Sequence, residues 1–313
     1  MLNVTRIVLL AITVALATSP VAARYAVLPL EERIAESDLA VVGRVVELGD
    51  SFGLDKLPGM LRGKILVERV LMGDLDGRSV EFLYAKPPDN ARGLRPLPVV
   101  YQVGQEQLWL LKRHETVAGN YTVVAPRQAE PPARADTAEV VIAAAAEPLK
   151  TLREAEAASR LKRSAAFFVL RRAVPLSQLP TTTRIVETDG GRIEKQTPDL
   201  RGHELLDDAT LDLAVATAID AFSEHDDEVH EVSRRTLARV GCPVDGLEPP
   251  LPDEVRATTA EQIRVFQKTH QQAWARAIRK WWTDNHRTIK RYVPKKPAAD
   301  APAATSAPQD PSP

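Results

Sequence analysis

A single cysteine, Cys242, among 313 residues leaves no internal disulfide, so stability has to come from an ordinary apolar core. No cysteine stands at the start of a lipid-anchored chain either. Aromatic residues make up only 5% of the sequence, and the formal net charge is −1. A chain so balanced carries no global pull toward nucleic acid. Signatures of catalysis are missing as well: there is no Gly-x-Ser-x-Gly elbow, no phosphate-cradling loop and no Cys-x-x-Cys pair. No segment is apolar for the roughly 20 residues that a bilayer span needs. The longest such run, Ile7–Ala17, is eleven residues.

That run has a meaning of its own. Arg6 lies just before it, and Thr18-Ser19-Pro20-Val21-Ala22-Ala23 follows with small residues at the −1 and −3 positions of a cut after Ala23. This is the pattern of a secretory signal peptide over residues 1–23, with cleavage after Ala23, and it predicts an exported protein, periplasmic or extracellular. No transmembrane helix is expected in the mature chain.

At 44% hydrophobic and 27% charged residues, the remainder is globular. Residues 24–127 read as a β domain. Leu39–Leu48, Lys64–Leu71, Ser79–Tyr84, Gln107–Lys112 and Tyr121–Ala125 are short apolar runs punctuated by Gly, Asp and Asn, without helical periodicity. Such a series predicts a small barrel, with Gly43 as a bend and Val41, Val45, Val67, Leu108, Leu110 and Trp109 in its core. Residues 128–137, rich in Pro and Ala, are expected to link it to an α-helical domain over 138–292.

In that domain the helical stripes are Leu152, Ala155, Ala158, Leu161 and Ala165; Leu205, Ala209, Leu213, Ala216 and Ile219; Val229, Val232, Thr236 and Val240; and Ile263, Phe266, His270, Trp274, Ile278 and Trp281. Asp189-Gly190-Gly191 suggests a hairpin between the first two helical regions. Residues 293–313, with six prolines and six alanines, have no apolar stripe and are expected to be a disordered tail. The fold class is therefore α+β, with two domains.

The β part resembles the OB-like barrel of netrin modules and tissue inhibitors of metalloproteinases, through Asp38–Val46 (DLAVVGRVV), Val67–Asp74 (VERVLMGD) and Val103–Lys112 (VGQEQLWLLK). Those inhibitors act through a mature N-terminal cysteine. Here the mature chain would begin Arg24-Tyr25, so the resemblance implies the barrel and not the inhibition. Asp226–Gly241 (DDEVHEVSRRTLARVG) resembles the second helix of a HEAT-type repeat, and Ala275–Asn285 (ARAIRKWWTDN) resembles closing helices of exported bacterial proteins. A HEAT-like region implies a gripping surface and no chemistry.

The densest set of metal-ligand types is His225-Asp226-Asp227-Glu228-Val229-His230-Glu231. His225, Asp227 and His230 are its candidates. Five residues separate the two histidines, which puts them on different faces of a helix, and acidic residues at a helix start are explained by capping and the helix dipole. His203-Glu204 opens like a zincin motif, but position 207 is Asp. Trp281 continues an apolar stripe and is expected in the core, with Trp282 over a neighbouring loop. Cys242 reads as a structural thiol.

Charge is segregated. Residues 203–231 are acidic with no Lys or Arg, whereas 150–172 and 256–291 are strongly basic. Acid-on-basic helix packing accounts for this, and a basic face for an anionic polymer is the functional alternative. The expectation is thus a non-enzymatic binding or scaffolding protein with no catalytic residues and no cofactor, whose partner is another protein or an acidic polymer. The alternatives are a metal-dependent hydrolase at His225–Glu231 and an envelope-associated binder of acidic polymers through its basic helices.

Overall fold

The computed structural model describes residues 28–50, 57–86, 99–188, 191–224, 226–250 and 259–295. The expected signal peptide with its cleavage at Ala23, His225, the hairpin apex at 189–190 and residues 296–313 lie outside the described residues.

Strands β1 (Leu39–Asp50), β2 (Met60–Met72), β3 (Ser79–Ala85), β4 (Glu106–Arg113) and β5 (Asn120–Val123) form a closed barrel in the order β1-β2-β3-β5-β4. Pairing is antiparallel except between β3 and β5, and β4 closes the ring on β1. This topology is compatible with an OB-like barrel. Its interior holds Leu39, Val41, Val45, Ile65, Phe82 and Leu111 around Trp109, with Val67 half-buried at the edge. Gly43 stands at a register irregularity of the β1–β2 pairing and also permits a close approach. A Cβ there would run into the carbonyl oxygen of Leu66, and the Trp109 indole N–H donates to the Gly43 carbonyl oxygen at 2.8 Å.

Leu108 and Leu110 are not inside the barrel. Side chains alternate along a strand, so with Trp109 and Leu111 inside, Leu108 and Leu110 face out. There they join Ala40 and Val42 in a second core shared with the helices. Both faces of β4 are therefore buried, which is why its sequence is continuously apolar and does not reveal which face is which.

The helical region contains α2 (Ala135–Ala146), α3 (Pro148–Glu154), α4 (Arg160–Arg172), α5 (Asp208–Phe222), α6 (Asp227–Arg239) and α7 (Ala260–Asn285). Local caps set several starts. Ser159 accepts from the Lys162 N–H, Asp207 from Thr210, and Asp226 from Glu228 and Val229, while Thr259 and Gln262 form a capping box. The hairpin of β6 (Thr181–Thr188) and β7 (Gly191–Pro198) lies between α4 and α5, and β8 (His203–Leu205) pairs with β9 (Tyr292–Pro294).

Several boundaries shift from the expected ones. Residues 128–137 are not a free linker. The Leu108 N–H donates to the Glu130 carbonyl at 2.9 Å, Pro132–Arg134 is a 3-10 turn, and α2 begins at Ala135, which is buried. The Pro/Ala-rich tail cannot start at 293, because Val293 is buried and β9 belongs to a sheet. The basic stretch 150–172 is two helices, interrupted at Ala158 by a left-handed φ of 61°. Leu205 is on a strand and exposed; α5 instead buries Leu211, Ala214, Val215, Ala218, Ile219 and Phe222.

A short helix, α1 (Leu30–Ala35), precedes the barrel and is wedged between it and the helices. Leu30 and Ile34 enter the shared core, yet Glu31, Glu32 and Arg33 are buried too. Each finds an opposite charge. Glu31 accepts from Ser164 Oγ at 2.8 Å and Arg160 Nη2 at 3.1 Å. Glu32 accepts from Arg235 at 2.9 Å and Arg239 at 3.3 Å. Arg33 donates to Glu130 and to the Gln128 carbonyl. Ions this far from water persist only when paired and hydrogen-bonded.

Candidate binding sites

The acidic–histidine cluster at the start of α6 is dispersed by the helix. Asp226 caps it, accepting from the N–H groups of Glu228 and Val229 at 2.9 and 3.0 Å. Glu228 points inward and accepts from the Leu30 N–H at 2.9 Å and from Arg134 Nη2 at 2.7 Å. Burial pushes the Glu228 carboxyl up, but the Arg134 hydrogen bond, the Leu30 N–H and the charges of Arg134 and Arg160 outweigh it and hold it below its usual range. Glu231 is bound by Arg234 and Arg235 and is likewise lowered, against the raising effect of burial. The carboxylates of Glu228 and Glu231 thus belong to ion pairs.

Asp227 and His230 turn the other way and line a cleft of about 280 Å³ together with Glu248, Phe266, His270 and Trp274. His230 stacks on Phe222 with ring centroids 4.1 Å apart, and its Nδ1 lies 3.0 Å from the Phe222 carbonyl oxygen. His270 Nε2 lies 3.2 Å from Glu248 Oε1. Both imidazoles meet Trp274 edge-on, at 5.9 and 6.1 Å. The four-residue spacing of Phe266, His270 and Trp274 signals this wall in the sequence, but nothing there brings Glu248 or α6 to it. Among the described residues no group of three or more His, Cys, Asp or Glu is placed to share a metal ion.

A larger pocket, about 510 Å³, opens where the α2–α3 elbow meets α4 and the β8–β9 ribbon. Pro148, Leu149, Val169, Val293 and Pro294 give it apolar walls, and Lys150, Arg172 and Lys295 stand around it with Glu147 and Glu204. Lys150 pairs with Glu147 at 3.5 Å, and Arg172 donates to the Ala145 carbonyl. Arg172 and Lys295 have no carboxylate partner among the described residues. His203-Glu204 is part of β8, at the rim of this pocket, and Asp207 caps α5, so the three never share a helix face.

The remaining candidates are structural. Trp282, not Trp281, is the buried member of the pair, and its indole N–H donates to Asp212 at 3.0 Å; Trp281 is half-buried. Adjacent helical residues point about 100° apart, and the stripe of α7 runs through Trp274, Ala275, Ile278 and Trp282. Ile263, expected on that stripe, is 44% exposed. Cys242 is buried, and burial pushes its thiol up to about 12. The segregated charges meet as acid on base: Arg153 with Asp207, Arg163 with Glu224, Arg279 with Asp220 and Lys290 with Asp208. No helix among the described residues is long and apolar enough to cross a membrane.

No protein-family description matches this chain, and no characterised protein matches its sequence.

Proposed function

We propose that this is an exported, non-enzymatic binding protein, in which a barrel of the netrin and tissue-inhibitor kind braces a HEAT-like helical region that holds the ligand. The observation that carries this reading is the pocket between the α2–α3 elbow, α4 and the β8–β9 ribbon. Its volume suits a small organic ligand, its walls are largely apolar, and it is lined by two cations, Arg172 and Lys295, without carboxylate partners among the described residues. That combination fits an apolar body with an anionic end, such as a medium-chain carboxylic acid. The hydrolase reading loses Glu228 and Glu231 to Arg134, Arg234 and Arg235. The polymer-binding reading loses cations to Asp208 and Asp220 of α5 and to Glu224 just beyond it.

The test is displacement of a dansylated undecanoic acid probe from the purified protein. Saturable binding, displaced by decanoate and weakened at least about tenfold in Arg172→Glu/Lys295→Glu, is the expected result, a tenfold change being about 1.4 kcal/mol. Failure of the probe to saturate, or equal displacement by decyltrimethylammonium, would overturn the reading.

A further inference from the structure

The cleft between the start of α6 and the middle of α7 is separate from the pocket above and has a different chemistry. Among the described residues its walls carry the carboxylates of Asp227 and Glu248 and the amides of Gln267 and Gln271, and no Lys or Arg. Among the described residues Asp227, which is exposed, has no cationic partner, and the Glu248 carboxylate is paired with His270 alone.

The two histidines add to the excess of acceptors. A carbonyl oxygen can only accept, so the contact with Phe222 requires His230 Nδ1 to carry the proton. In the neutral ring Nε2 is then a bare acceptor. His270 donates Nε2–H to the Glu248 carboxylate, and in the neutral ring its Nδ1 is then the acceptor. Phe266, stacked on His270 with centroids 6.0 Å apart, and Trp274 supply aromatic walls. A cavity with negative charge, lone pairs, aromatic rings and no Lys or Arg among the described residues selects a positively charged donor whose stem is apolar.

We propose that this cleft binds a guanidinium or primary alkylammonium group. The positive head hydrogen-bonds to Asp227 and Glu248, and its methylene stem lies against Phe266. The volume of about 280 Å³ admits one such group with its stem. A free amine and the arginine side chain of a peptide offer the same chemistry.

The experiment compares two molecules of one shape, butylguanidinium and the neutral butylurea, by isothermal titration against the full-length protein. Butylguanidinium should bind saturably and at least tenfold more tightly than butylurea. Asp227→Asn/Glu248→Gln should lose at least tenfold in affinity with its melting temperature unchanged, because both residues are exposed. Phe266→Ala, at a half-exposed position, should weaken binding without abolishing it. Agmatine and an acetylated Gly-Gly-Arg-Gly-Gly peptide then separate the sources: stronger agmatine binding identifies a free amine, and stronger peptide binding identifies a polypeptide partner. Equal binding of butylurea, an unaffected double variant, or zinc displacing butylguanidinium at stoichiometric concentration would overturn the proposal.

Discussion

Ser164 on α4 donates its hydroxyl hydrogen to the carboxylate of Glu31 on α1 at 2.8 Å, in a site where Ser164 is fully buried and Glu31 nearly so. These residues lie 133 positions apart in the chain. The contact shows how the segment before the barrel is locked to the helices after it. Arg160 completes the arrangement from one turn before Ser164.

Removing the Glu31 carboxylate leaves Ser164 and Arg160 short of a partner. Arg160 is 22% exposed and still has Glu228 at 3.9 Å, so it recovers part of its solvation. Glu31→Ala should therefore cost about 2–3 kcal/mol, at or below the lower end for a broken buried pair. Ser164→Ala, which removes only a neutral donor, should cost about 1 kcal/mol. Urea unfolding monitored by circular dichroism measures both, and equal losses would show that the ion pair with Arg160 adds nothing.

Glu228 makes stability depend on pH in a defined direction. Its folded-state carboxyl is held below the usual value of 4.5, so the unfolded chain binds the proton more readily. The contribution is complete above the ordinary carboxylate range and is lost as pH falls through the lowered value. The melting temperature of Glu228→Gln should lie well below that of the parent near about pH 7 and converge on it in acid. A gap that stays constant on acidification would contradict the Arg134–Glu228 assignment.

The barrel and the helices should unfold together. Ala40, Val42, Leu108 and Leu110 on the barrel exterior belong to the same core as Phe167, Phe168 and Ile219. One calorimetric transition is expected, and a fragment of residues 24–127 should aggregate, because it exposes the outer face of β4. Leu110→Ala should lower the stability of the full chain by about 2–5 kcal/mol although Leu110 faces away from the barrel interior. Two resolved transitions would show that the shared core does not couple the halves.

Cys242 should be unreactive in the native protein. Burial raises its thiol to about 12, which leaves almost no thiolate near neutral pH. Ellman's reagent should show no fast reaction until urea unfolds the chain, and then one equivalent. Rapid labelling of the folded protein, or a covalent dimer, would contradict the buried setting.

Along α7 the contrast is between two isoleucines about four turns apart. Ile263→Ala should change stability by less than about 0.5 kcal/mol, as at other exposed positions. Ile278→Ala, fully buried, should cost about 2–5 kcal/mol. The same thermal or urea melts serve for both.

Much of this architecture follows from the sequence alone. Alternation and turn residues mark the barrel strands to within a few residues, Asp226 and Thr259 announce the starts of α6 and α7, and the segregated charges anticipate acid-on-basic helix packing. These are local signals, each carried by residues adjacent in the chain. What only the tertiary structure decided depends on burial from two sides. Leu108 and Trp109 are both apolar, and the helices seated outside the barrel determine which of them fills its interior. Nothing local marks the adjacent charges of Glu31, Glu32 and Arg33 as interior, yet they are buried, because arginines and a glutamate about 100 to 200 positions away converge on them. The same holds for the cleft. His230 and His270 are separate features of two helices until folding sets Trp274 between them, since side chains far apart in sequence acquire a joint chemistry only through the packing that brings them together.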